Sequence, residues 1–353
     1  MRTFLPFLVL FVGTAACSAA QTSSTEFAGD PAGGGPGAFG GASNGANGDA
    51  DSGALAQPGT LTAGAWDDNR NYDVFTDYLS KHVPQKIPFA HDPQTTAEDA
   101  AHLLFAGDRT AKALLDVAIV IDTTGSMGDE ISYLRSEFQA IATAIGARFP
   151  ASQPRWSVVA YKDVGDEYLA KPFAFTANPA DTQAALGTLS AGGGGDYEES
   201  PEEGFKALNQ LQWRSGADVA KLAFWIADAP QHPWRTQAFA DAIDGSRALG
   251  VHVYPIAASG ADEQTEVSMR SAAQVTGGRY LFLTDDSGIG GTHKEPLVPC
   301  FFVTKLDRAV ARTVAIEMTG TYEEPAPADI IRTGGDPKNG RCLLGNGTQV
   351  DVF

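Results

Sequence analysis

Residues 116–127 read Asp-Val-Ala-Ile-Val-Ile-Asp-Thr-Thr-Gly-Ser-Met, and this stretch decides the fold. The apolar run Val117–Ile121 is too short to cross a membrane and is typical of a central parallel strand that is covered on both faces. Apolar residues then recur at steps of three and four between residues 131 and 145, which predicts an amphipathic helix over residues 129–147. A strand, a polar turn and a helix in this order indicate an α/β fold.

Hard oxygen groups follow this strand directly. Asp122, Thr124 and Ser126 supply one carboxylate and two hydroxyls on alternate residues of a tight turn. Small hard cations such as Mg²⁺ prefer oxygen donors of this kind. A second apolar run, 221–227, also ends in an aspartate, Asp228. Because ligands bind outside the carboxyl ends of the strands in open α/β sheets, the two aspartates are predicted to share one metal site.

A glycine-rich segment between the two strands is predicted to approach this site. Four glycines at 192–195 leave the backbone free to lie close to a ligand, and Asp196 is the residue of this loop that is predicted to face the metal. Pro201 then favours the start of a helix. The helix dipole stabilises acidic side chains near that start, and such side chains are expected to lie in solvent. Glu199 is the one acidic neighbour close enough to the loop to support the metal ligands. The predicted solvated acids are Glu198, Glu199, Glu202 and Glu203.

The remaining pattern alternates strands with helices. This alternation predicts a doubly wound, mostly parallel central sheet flanked by helices. The further predicted strands are residues 156–161, 171–176, 251–257 and 279–283. The further predicted helices are residues 201–212, 236–249, 262–276 and 305–318.

Together these segments resemble the von Willebrand factor type A domain, a Rossmann-like fold, over residues 113–319. Its metal-ion-dependent adhesion site uses a D-x-[ST]-x-S turn, which matches Asp122, Thr124 and Ser126, and an aspartate after the fourth strand, which matches Asp228. The resemblance also implies that residues 171–176 form a short antiparallel edge strand.

The second loop departs from the best-known pattern of this family. Integrin-type members have threonine there, whereas this chain has the glycine-rich loop with Asp196. The resemblance implies a divalent cation, Mg²⁺ first and Mn²⁺ or Ca²⁺ as alternatives, that accepts a carboxylate from a partner protein. Three carboxylates would neutralise the ion more than two do, so a structural ion is the alternative to an adhesive one.

An enzyme is the alternative function. The turn after the first strand also resembles the aspartyl-phosphate motif of haloacid dehalogenase-like phosphotransferases and phosphatases, in which Asp122 would be the nucleophile. Two departures weigh against this interpretation: Thr123 stands where P-type ATPases have lysine, and Thr124 stands where most simpler phosphatases have a second aspartate. The sequence therefore favours a binding module over an enzyme.

The first residues predict export. Arg2, an apolar run and small residues before Cys17 have the layout of a secretory signal over residues 1–16. The cysteine at the cleavage point resembles a bacterial lipoprotein signal, which implies acylation of Cys17 and a place at the outer membrane or cell surface. An ordinary secretory signal, giving a secreted or periplasmic protein, is the alternative. Residues 17–60 are rich in glycine, alanine and serine and are predicted to be a disordered linker.

Two further segments flank the predicted domain: a small extension at 61–112 and a tail at 320–353. If Cys17 is lipidated, Cys300 and Cys342 remain as a pair, and export favours a disulfide between them. Two free thiols would be expected only in the cytosol.

Charge excludes one class of partner. The formal net charge of the 353 residues is −18, and phosphate binding needs a basic face, so nucleic acid is not the expected ligand. The same charge disfavours adsorption to anionic lipid and leaves a lipid anchor as the predicted membrane link. His232 and Trp234 follow Asp228 and are predicted to lie on the rim of the site, where a surface histidine with an ordinary packing role is more common than a ligand.

Overall fold

A computed structural model describes residues 58–82, 86–90, 110–289 and 291–353. The predicted signal segment, Cys17 and residues 18–57 of the predicted linker lie outside the described residues. Within the described ranges, no helix combines the length and the apolar character that crossing a bilayer requires.

A nine-stranded sheet forms the centre of the described structure, in the order β4-β3-β2-β5-β6-β7-β1-β8-β9. Strands β2, β3, β5, β6 and β7 run parallel, and β4 pairs antiparallel with β3 at one edge. The predicted doubly wound, mostly parallel sheet is therefore confirmed. Its strands are β1 (Thr62–Trp66), β2 (Leu114–Asp122), β3 (Arg155–Tyr161), β4 (Ala170–Thr176), β5 (Val219–Ala227), β6 (His252–Ala257), β7 (Tyr280–Leu283), β8 (Phe301–Lys305) and β9 (Arg332–Gly334).

Helices cover both faces of the sheet. Successive residues of β2 point to opposite sides, so Val117 and Ile121 pack into one apolar cluster while Ala118 and Val120 pack into another. The first cluster also contains apolar residues of α2 and α7, and the second contains those of α4, α5 and α6. The helices are α1 (Tyr72–His82), α2 (Gly128–Arg148), α3 (Pro179–Gly187), α4 (Pro201–Asn209), α5 (Thr236–Ala248), α6 (Glu263–Thr276) and α7 (Leu306–Thr319).

Strand β1 comes from the predicted extension and lies inside the sheet, where it pairs antiparallel with β7 and β8. The buried Glu137 of α2 fixes the entry to this strand, because its carboxylate accepts hydrogen bonds from the backbone N–H groups of Gly59, Thr60 and Leu61 at 2.8–3.0 Å. Gly64 is needed in β1 because the ring of Phe282 would lie 2.2 Å from a Cβ atom there. The sheet of the domain thus begins well before residue 113.

The C-terminal tail is attached to the same sheet. Strand β9 pairs antiparallel with β8, and β10 (Arg341–Leu343) pairs with β11 (Gln349–Asp351) in a separate two-stranded sheet. The predicted disulfide between Cys300 and Cys342 is present and joins the start of β8 to β10. This bond and the pairing of β9 hold the tail against the domain.

Candidate metal centre

Asp122 and Asp228 lie at the carboxyl ends of β2 and β5, which are neighbours in the sheet. Asp122 is fully buried, and its Oδ1 accepts hydrogen bonds from the backbone N–H of Thr124 at 2.8 Å and from the Thr124 hydroxyl at 2.7 Å. Its second carboxylate oxygen, Oδ2, is buried without a hydrogen-bond partner among the described residues. The turn therefore fixes this carboxylate through one oxygen and leaves the other unused.

Asp228 repeats this arrangement on the neighbouring strand. Ser126, in the one-turn 3-10 helix Gly125–Met127, lies close enough to its carboxylate to oppose the rise in the pKa of Asp228. Asp228 is 3% exposed, and its Oδ1 has no hydrogen-bond partner in the described part of the protein. The structure thus brings together four of the five residues that the sequence predicts as metal ligands.

Two more buried carboxylates surround this pair. Glu199 lies beside Thr124, and the backbone N–H of Ser259 donates to Oε1 of Glu130 at 3.2 Å. Both glutamates keep one buried oxygen, Oε2, without a partner among the residues described here. The sequence analysis did not predict Glu130 as part of the site. Its position in the first turn of α2, just after the Asp122 turn, could have indicated that it lies there.

The prediction of solvated charge at the start of α4 is wrong for two of the four glutamates. Glu199 and Glu202 are 3% and 0% exposed, because the segment before α4 packs against the residues after β5, with the N–H of Glu199 bonded to the carbonyl oxygen of Pro230. Burial, together with repulsion from Asp122, raises the pKa of Glu199 to about 9. Burial also raises the pKa of Glu202 to about 7.

The same forces act on the two aspartates. Burial, and then the charge of Asp228, raises the pKa of Asp122 to about 7. Burial, followed by weaker repulsion from Glu130, raises the pKa of Asp228. Buried carboxylates without a compensating cation are costly, and a divalent ion would both pair their charge and occupy their unused oxygens. Carboxylate and hydroxyl oxygens fit a hard ion such as Mg²⁺.

Asp196, the fifth predicted ligand, belongs to a second group. Asp163, Asp196 and His232 each place one possible ligand atom within 4.8 Å of the others. Asp196 is exposed, whereas Asp163 and His232 are buried. No prediction had included Asp163, which follows β3 in a polar loop that gave no metal-binding motif.

The prediction of a surface histidine at position 232 is wrong. His232 is 2% exposed, its Nε2 lies 2.8 Å from Oδ1 of Asp163, and its ring stacks on Trp234 at 4.2 Å between centroids. The indole of Trp234 covers the imidazole and is itself 72% exposed, so it lies on the rim as predicted. His232 lies in a loop, which has no periodic pattern of apolar residues, so its burial could not be predicted from the sequence.

Residues 116–284 match the family model described as von Willebrand factor A domain, which supports a domain of this type in this part of the chain. A putative ariadne-like RING finger protein of Acanthamoeba polyphaga mimivirus is 33% identical over 124 residues, which are 34% of this chain and 12% of that protein. The alpha-protein kinase vwkA of Dictyostelium discoideum is 23% identical over 142 residues, 40% of this chain and 22% of that protein. The chain thus spans less than a quarter of either relative.

Two solved structures also show similarity. One is the conserved hypothetical protein BatB from Bacteroides thetaiotaomicron, with a TM-score of 0.40, 13% identity, and coverage of 57% of this chain and 98% of that one. The other is the pilus adhesin SpaC from Lactobacillus rhamnosus GG, with a TM-score of 0.35, 13% identity, and coverage of 48% and 28%. At these TM-scores neither structure carries an argument about function.

Proposed function

We propose that the protein is a metal-dependent protein-binding module, with a divalent cation held by Asp122, Asp228, Thr124 and Ser126. The observation that carries this proposal is a pair of buried oxygens at the ends of adjacent strands, Oδ2 of Asp122 and Oδ1 of Asp228, which have no hydrogen-bond partner in the described ranges. When bound, the ion supplies an electrophilic position that a carboxylate of a partner can fill. Mg²⁺ is the ion that this oxygen set favours, with Mn²⁺ and Ca²⁺ as alternatives.

The protein's own residues have separable tasks in this proposal. Asp122 and Asp228 supply the negative charge, and the Thr124 hydroxyl, already bonded to Asp122, is fixed for a ligand role. Ser126 is exposed and lies beside Asp228, so it connects the buried ligands with the solvent side where a partner would approach. When ionised, Glu199 and Glu130 add negative charge around the ion and lower its attraction for a partner carboxylate.

Exposed apolar side chains near these loops support a protein partner. Trp234 is 72% exposed, Tyr197 in the glycine-rich loop is 40% exposed, and Val164 and Leu169 between β3 and β4 are 53% and 41% exposed. Large exposed aromatic groups are typical of residues that dominate protein interfaces. A partner carboxylate bound to the ion would be flanked by apolar surface that can exclude water.

A peptide experiment tests the adhesive role. The protein is titrated with peptides that carry an internal aspartate or glutamate, and with matched peptides in which asparagine or glutamine replaces the acid. We expect binding of acidic members only, in the presence of Mg²⁺, with loss of binding after chelation. Equal binding of the amide peptides, or binding that survives the chelator, would show that carboxylate capture by the ion is wrong.

We further propose that the domain is exported and tethered to the bacterial envelope through acylated Cys17. The motivating feature is the apolar run followed by Gly13-Thr-Ala-Ala-Cys17. Metabolic labelling with a fatty acid should mark the wild-type protein and leave the Cys17→Ala variant unmarked. Label that persists in the variant would contradict the lipid anchor.

A further inference from the structure

Three loops at the carboxyl edge of the sheet converge on the group formed by Asp163, Asp196 and His232. We propose that this group is a second cation site, separate from the Asp122 site, that binds a divalent transition metal of the Zn²⁺ type. It goes beyond the proposed function and does not depend on it.

The geometry of the group is close to that of a ligand set. Oδ1 of Asp163 and Nε2 of His232 lie 2.8 Å apart in a hydrogen bond. Two tetrahedral ligands of one Zn²⁺ lie about 3.4 Å apart, so this contact has to widen slightly to admit an ion. The Ser200 hydroxyl also donates to this oxygen at 2.8 Å and fixes the carboxylate. Asp196 closes the group from the solvent side, because it is the exposed member. An ion therefore has an entry path past one exposed carboxylate to two buried ligands.

The histidine itself is incompletely satisfied by the protein. Its Nδ1 is buried and has no hydrogen-bond partner among the described residues, and stacking with Trp234 restricts the ring. Nε2, on the opposite side of the ring, is the nitrogen that faces Asp163 and would bind the ion.

The donor types decide which metals fit. One imidazole nitrogen with two carboxylate oxygens suits Zn²⁺ and neighbouring transition metals, whereas Mg²⁺ prefers oxygen donors and keeps its water. The Asp122 site offers only oxygens. The two sites are therefore expected to differ in selectivity although they lie in adjacent loops.

A bound ion at this group would fasten the glycine-rich loop. Asp163 follows β3, Asp196 belongs to that loop, and His232 follows β5. The loop already contacts the first site, since the N–H of Gly125 donates to the carbonyl oxygen of Gly193 at 3.2 Å. Occupation of the second site would hold in place the loop that covers the first.

Zn²⁺ titration of the tag-free protein tests the proposal. We expect one Zn²⁺ to bind, and the melting temperature to rise by about 5 °C when free Zn²⁺ is a hundredfold above its dissociation constant. Asp196→Asn and His232→Gln should each weaken binding by about tenfold or more. Co²⁺ should give visible absorption in the wild type that both variants lack.

Two control variants separate this site from other sources of binding. Asp336→Asn removes one exposed charge in the loop after β9 and should leave the Zn²⁺ affinity unchanged. Asp122→Ala should also retain Zn²⁺ binding. The proposal is overturned if wild type binds no Zn²⁺, if Asp196→Asn and His232→Gln bind it like wild type, or if Asp122→Ala alone loses it. Because the peptide experiment uses Mg²⁺, it can fail or succeed independently of this result.

Discussion

Asp122→Ala is expected to abolish Mg²⁺ binding and the stabilisation that Mg²⁺ gives. The variant removes one of the two anionic ligands of the proposed ion and leaves Asp228 near the buried acids Glu199 and Glu130. Since an ion that binds only the folded protein stabilises it by mass action, wild type should gain about 2.7 kcal/mol at a hundredfold excess over the dissociation constant. Calorimetric titration and melting curves with and without Mg²⁺ measure both effects.

Matched variants show whether the loss is specific to the ligand. Thr124→Ala and Ser126→Ala remove neutral donors and should weaken Mg²⁺ less than Asp122→Ala does. Asp336→Ala removes a carboxylate that is exposed on the loop after β9 and should leave the Mg²⁺ response intact. If Asp122→Ala and wild type show the same Mg²⁺ response, Asp122 is not a ligand and the adhesion-site proposal fails with it.

The parallel core of the fold was predictable because its sequence signals are local. Strand β2 is an uninterrupted apolar run, and α2 has its buried residues at steps of three and four. Strand β1 has no such signal: Thr-Ala-Gly-Ala-Trp is short and weakly apolar. Its position is set by pairing with β7 and β8, more than two hundred residues away, and by the Glu137 carboxylate that receives its backbone N–H groups.

Some residues of the candidate site were likewise predictable from the sequence, and others were not. Asp122 and Asp228 were predictable because each ends an apolar strand, and parallel neighbours bring their carboxyl ends to one edge. Asp163 and His232 lie in loops, where no periodic pattern of apolar residues indicates which side chains are buried. Their contact depends on the path of both loops. Asp196 was predicted to face a metal, and the structure places one of its carboxylate oxygens within 4.8 Å of a possible ligand atom of each of these two residues.

Buried ion pairs join the predicted extension to the domain. The loop after β1 carries Asp67 and Asp68, which pair with Arg279 and Arg270 at 2.8 and 2.7 Å. Both arginine side chains are fully buried. None of these pairs could be predicted, because each joins residues about two hundred positions apart and has no local pattern.

Arg270→Met is therefore expected to lower the free energy of unfolding by about 3–5 kcal/mol, because it leaves the buried Asp68 without its cation and leaves Glu266 with Lys294 alone, 3.7 Å away. The Arg270 guanidinium donates to both oxygens of Asp68 at 2.7 and 2.9 Å and to Glu266 at 3.0 Å, and it lies 3.9 Å from the ring centre of Tyr78. Burial alone would lower the pKa of Arg270, but the charges and hydrogen bonds of Asp68 and Glu266 raise it overall. Equilibrium unfolding in urea measures the change.

An exposed pair provides the control for this prediction. Arg148 contacts Glu323 through two nitrogens, as Arg270 does Asp68, but its side chain is 43% exposed. Arg148→Met should therefore cost no more than about 1 kcal/mol. Adding Asp68→Asn to Arg270→Met should recover part of the loss, because the double variant no longer buries that unpaired charge. Equal losses in Arg270→Met and Arg148→Met would mean that burial does not set the strength of these pairs, and that β1 is held by its strand pairing and apolar contacts alone.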